Sequence, residues 1–118
     1  MQDFRKLEVA QIAHALTLAV YRETSSFPDA ERFGLTSQLR RSSSSIGANL
    51  AEGCGRGSDT DFARFAQIAM GSASEVEYHL MLSRDLHYLS QSAHDELAQE
   101  AQRVKRMLAA LLKTLRRT

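Results

Sequence analysis

A chain of 118 residues, 43% hydrophobic and 25% charged, has the balance of a soluble globular domain with one core, which excludes a disordered or fibrous polymer. Its formal net charge of +1 excludes bulk attraction to nucleic acid or membrane, so any such binding has to come from local clustering. No apolar run approaches the roughly 20 residues that cross a bilayer.

The single cysteine, Cys54, cannot close an internal disulfide, and with no leader-like start it predicts a reducing cytoplasm. β-Branched residues are few and no stretch alternates apolar with polar, so nothing supports a sheet.

The first predicted helix covers about 3–25, with Val9, Ile12, Ala13, Leu16, Ala19 and Val20 on one broad face and Arg5, Lys6, Gln11 and Arg22 off it. Residues 25–34 read as a connector. The residue before a proline is pushed out of the helical region, which leaves Phe27 extended before Pro28, and 28–32 can form one short turn ended by Gly34. Phe27 and Phe33 are expected to fold inward and close that end of the core.

A second helix is predicted over 36–52, with Gly53 as its stop. Four serines at 42–45 are poor helix formers, so packing has to hold them helical, and their small side chains let a neighbour come close. With the turn centred near Gly57, an antiparallel partner sets residues 71–74 opposite 41–43. That partner is a third helix over 59–89, started by Ser58 with Asp61 three residues on, as in a capping box. At ~1.5 Å per residue it would span roughly 45 Å. It is apolar on more than one side: Phe62, Phe65, Ala69 and Val76 on one, Ile68, Tyr78, Leu82, Leu86 and Leu89 on another, with Met70 and Met81 beyond both. A helix apolar round much of its circumference is covered from several sides, which in so small a chain predicts self-association.

The fourth helix begins near Ser92, with Asp95 three residues on, and runs to the C-terminus. Its Leu97, Ala101, Val104, Leu108, Leu111 and Leu115 recur at alternating intervals of four and three, the stripe of a bundle. The sum is an all-α fold, an antiparallel up-down-up-down four-helix bundle in which residues 1–118 form a single domain.

Phe27-Pro28, Phe33-Gly34-Leu35-Thr36, Gln38-Leu39-Arg40-Arg41, Ser45-Ile46, Asn49-Leu50-Ala51-Glu52-Gly53, Gly55-Arg56-Gly57-Ser58 and Gly71-Ser72 with Glu75 and Glu77 cover nearly the whole chain in order. In these residues the sequence resembles the bacterial four-helix-bundle family encoded in intervening sequences of large-subunit ribosomal RNA genes. More distantly, it is similar to the accessory variability determinant proteins of diversity-generating retroelements. The resemblance implies a four-helix protomer assembled into a ring-like homopentamer. For the retroelement relatives it also implies nucleic-acid binding and partnership with a reverse transcriptase. The chain departs from the family pattern at Gly47, where a proline is common, and at Cys54, where an aromatic is common.

Few residues suggest chemistry. The turn at 53–58 leads into a helix N-terminus, so Arg56, Gly57 and Ser58 form a candidate anion or phosphate site, or the centre of an enzyme. The turn lacks the Lys-Ser/Thr pair of a P-loop and no strand precedes it, as a dinucleotide fingerprint requires; otherwise it is a capped tight turn. Arg41 and Glu75 fall at similar levels of the hairpin and are predicted to pair, as is Glu52 with Arg56 or Arg64; either charge buried alone would cost several kcal/mol. Read as catalytic carboxylates, Glu52 and Glu75 lie too far apart to act together. No glutamate has a histidine three residues later, which speaks against a di-iron site, and Glu75 with His79 supplies too few ligands for a metal. No metal or cofactor is expected. Cys54 has no neighbouring histidine and reads as inert.

Charge is the remaining signal. Arg103, Lys105, Arg106, Lys113, Arg116 and Arg117 give the fourth helix a basic C-terminal half without an acid. It is either a solvated face suited to the helix dipole or a strip that contacts phosphates. With no exposed aromatic placed for base stacking, such binding would be salt-sensitive and indifferent to sequence. The chain therefore reads as a non-enzymatic homo-oligomer that binds RNA or DNA, or scaffolds a polymerase-type partner, away from membranes. An anion binder or enzyme centred on residues 53–58 is the alternative.

Overall fold

Four α-helices carry the chain: α1 Glu8–Thr24, α2 Leu35–Gly55, α3 Asp59–Asp85 and α4 Gln91–Leu115. The computed structural model describes residues 3–117; Met1, Gln2 and Thr118, inside the predicted domain and at the end of the predicted fourth helix, lie outside the described residues. Each helix packs on its neighbours in sequence, α4 closes back on α1, and the diagonal pairs do not meet. The result is an antiparallel four-helix bundle, 46 × 22 × 20 Å, with no strand among the described residues.

Local chemistry sets the helix ends. Ser58 Oγ accepts from the Asp61 amide at 3.2 Å and starts α3, as its spacing predicts. Ser90 Oγ accepts from the Ala93 amide at 3.1 Å, so Ser90, not Ser92, caps α4, which begins at Gln91. The first predicted helix divides: Phe4–Lys6 is one 3-10 turn, and extended Leu7 separates it from α1. α3 stops short of residue 89, because His87 takes a left-handed φ of 63° and the Tyr88 amide turns back to the Ser83 carbonyl at 2.9 Å. Leu89 then folds into the core.

Gly53 does not end α2. A Cβ there would stand 2.9 Å from Phe62 Cδ1 and 3.0 Å from Phe65 Cβ, so the glycine serves the close approach of α3 to α2. The break falls at Gly57, whose φ of 86° suits a residue without a side chain. This moves the hairpin midpoint beyond Gly57 and shifts the register by about one turn. Ser45 Oγ meets Ser72 Oγ at 2.9 Å, small side chain to small side chain. On the other side of the serine run, Thr17 Oγ1 donates to the Ser43 carbonyl at 3.0 Å and ties α1 to α2.

Leu16, Leu39, Ile46, Leu50, Leu80 and Leu108 form the fully buried centre. Phe27 closes one end against Tyr88, ring centroids 5.6 Å apart. Phe33 does not join it and is 88% exposed. Phe27 and Leu35 fill the inward places of the connector, and the turn between them carries Phe33 outward. On α3, Met70 packs on its own bundle near Leu111 and Leu115, whereas Ile68, Tyr78 and Met81, and Leu86 just past the helix end, remain exposed.

Candidate nucleic-acid interface

The bundle sorts the six C-terminal cations into two groups. Arg103 lies 3.9 Å from both Glu8 and Glu100, and Lys105 Nζ sits 2.7 Å from Glu77 Oε1, joining α4 to α3. Arg116 donates to Gln67 Oε1 at 3.2 Å. Arg106, Lys113 and Arg117 are exposed and take part in none of the ion pairs among the described residues. Arg106 and Lys113, seven apart, share the outward side of α4 over roughly 10 Å, and Arg117 follows just past the helix end. The others point to neighbouring helices, because a helical strip of six residues covers more arc than one face holds.

The turn at residues 53–58 is occupied with its own structure. Arg56 Nε lies 3.5 Å from Glu52 Oε2, and its guanidinium stacks 5.0 Å above the Phe65 ring. Arg64 pairs with Asp61 at 3.8 Å and covers the same ring at 4.6 Å. Ser58 caps α3, and Asp59 and Asp61 already supply negative charge to that first turn. An incoming anion would meet both.

Arg41 and Glu75 do not pair. Both side chains are exposed, Arg41 beside Tyr21 and Phe33 on the α1 side of α2, and the partner of Glu75 is His79, 4.0 Å away on its own helix. The shifted register and the serine seam between α2 and α3 separate the two. His79 is buried, and its Nδ1 has no hydrogen-bond partner. Burial, with a smaller contribution from the Asp3 charge, pushes the Cys54 thiol above its ordinary value, which keeps it protonated and unreactive. Among the described residues no three His, Cys, Asp or Glu side chains could hold a metal ion together, and no helix is long and apolar enough to cross a membrane.

The profile of the 23S rRNA-intervening sequence protein family matches residues 5–110, the whole bundle except its last turn. The chain belongs to the 23S rRNA-intervening sequence protein family. Solved structures that match include a crystal structure from Bacteroides thetaiotaomicron VPI-5482, described as a protein with unknown function from the S23 ribosomal protein family. It is 24% identical, covers 89% of this chain and 98% of its own, and superposes with a TM-score of 0.80, a likeness of fold. No curated protein matches.

One further group is formed only by the fold. Exposed Tyr21 and Phe33 converge with Arg32, Arg40 and Arg41 at the other end of the bundle from the α4 C-terminus. Its sequence signal is the pair Arg32-Phe33 followed by Arg40-Arg41 two turns later, which an inward Phe33 would conceal.

Proposed function

We propose that this member of the 23S rRNA-intervening sequence protein family is a non-enzymatic, cytoplasmic homo-oligomer, a pentamer, that holds RNA or DNA through backbone phosphates or serves as an accessory scaffold to a polymerase-type partner. The observation that carries the nucleic-acid reading is the set of cations without an ion pair among the described residues, Arg106 and Lys113 on the outward side of α4 and Arg117 just past its end. Three charges on one protomer bind weakly, and fivefold repetition turns them into an extended basic surface. The exposed apolar residues of α3 supply a reason to assemble. A buried thiol without a partner fits a reducing compartment. No base-reading group lies along the α4 strip, so contact there is to the backbone and indifferent to sequence.

A generic duplex titrated at two salt concentrations tests this. The logarithm of affinity is expected to fall by about 0.9 per phosphate contacted for each tenfold rise in salt, and Arg106→Gln/Lys113→Gln/Arg117→Gln to remove most of that slope. Duplex binding that survives high salt, or is absent at low salt, rejects the reading.

A further inference from the structure

Between the last turns of α1 and the first turns of α2 lies a recess of about 460 Å³. Arg32, Arg40 and Arg41 line it with Tyr21 and Phe33, and no carboxylate does. Single apolar side chains on a surface need no explanation. Here two rings, 88% and 45% exposed for Phe33 and Tyr21, share one concavity with three guanidinium groups.

One wall, Arg40 against Tyr21, is held by hydrogen bonds. Arg40 donates from Nε to Thr24 Oγ1 at 2.8 Å and from Nη2 to the Tyr21 carbonyl at 3.2 Å, with its guanidinium 4.6 Å from the Tyr21 ring centre. Thr24 itself is buried. The Arg32 guanidinium stands 5.3 Å from the Phe33 ring centre. Arg32 and Arg41 take part in none of the ion pairs among the described residues. The connector's Glu31 is committed elsewhere, accepting from the Leu35 amide and from the Tyr88 hydroxyl, each at 3.1 Å.

An exposed ring takes a flat partner, and unpaired guanidinium groups take an anion. A nucleotide meets both demands at once. We propose that this recess binds one unpaired nucleotide of a single-stranded nucleic acid, its base stacked on Phe33 and its phosphate held by Arg32 and Arg41. Paired bases have both faces covered within the duplex, so the recess selects unpaired strand. An apolar protein surface here would leave the arginines desolvated without a counter-charge. The site uses different residues from the α4 strip, and either can fail without the other.

Fluorescence anisotropy of a labelled short oligouridylate tests it, with the same strand paired to oligoadenylate as duplex and uridine monophosphate as competitor. Phe33→Ala is expected to weaken single-strand binding on the order of tenfold while leaving the duplex titration and the melting curve unchanged, since the ring supports no core. Arg41→Gln is expected to weaken it and lower the salt slope by about one. The triple α4 variant keeps the Phe33-dependent preference for unpaired strand. Displacement by uridine monophosphate as effective as by the strand upholds the site and assigns it to free nucleotides; displacement by the strand alone assigns it to nucleic acid. Equal single-strand affinity in wild type and Phe33→Ala overturns the proposal, and if that substitution instead lowers the mass in solution, the recess is a contact between copies.

Discussion

Gly53 and Gly71 are both helical glycines, yet a methyl group would do opposite things at the two. At Gly53 it would press on Phe62 and Phe65 at 2.9 and 3.0 Å, where α3 crosses α2. At Gly71 nothing lies within 4 Å. Gly53→Ala is therefore expected to destabilise the bundle by about 1–3 kcal/mol through overpacking. Gly71→Ala is expected to stabilise it by about 0.5–1 kcal/mol, because alanine is the better helix former and loses less backbone freedom on folding. Urea denaturation checks both, and equal signs would refute the packing role given to Gly53. His79 carries the same lesson for polar groups: its place on the apolar stripe of α3 buries an imidazole whose Nδ1 has no hydrogen-bond partner among the described residues.

The helices are set by their caps as much as by their stripes. α4 starts with Ser90, whose hydroxyl satisfies the Ala93 amide, and Ser92 stands exposed inside the first turn. Ser90→Ala is expected to cost about 1 kcal/mol, and Ser92→Ala to stay within about 0.5 kcal/mol. Thermal unfolding of the two variants distinguishes them, and the reverse order would move the helix start by two residues. α2 shows the complementary case. Its serines 42–45 have poor propensity, but Ser42 and Ser43 are buried, Ser45 meets Ser72, and the Ser43 carbonyl accepts from Thr17. Packing holds a segment that local preference would leave frayed.

At the scale of the molecule, the bundle hides most of its apolar residues and leaves a remainder. Ile68, Tyr78 and Met81 of α3, Leu86 just past its end and Leu18 of α1 stay exposed. Tyr78 and Met81 lie three apart on one side of α3, a spacing that brings side chains together. If copies dock there to form the proposed pentamer, sedimentation gives a particle about five times the 13.2 kDa protomer, and Tyr78→Lys/Met81→Lys releases folded protomers with unchanged helix content. A 13.2 kDa particle from the unaltered chain at high concentration would reject assembly altogether.

Apolar period, capping residues and chain-breaking glycines determined by themselves that this polypeptide makes four antiparallel helices. They did so because each signal is local and is read within one or two turns. The α4 cations were legible one by one for the same reason. Helix-to-helix packing set the relative features: a three-residue shift in the hairpin register, the parting of Arg41 from Glu75, the use of Gly53 as a contact instead of a stop, the sorting of six cations into paired and unpaired, and the outward turn of Phe33. Each depends on which residue of one helix faces which residue of another, and side chains distant in sequence settle that through volume and charge.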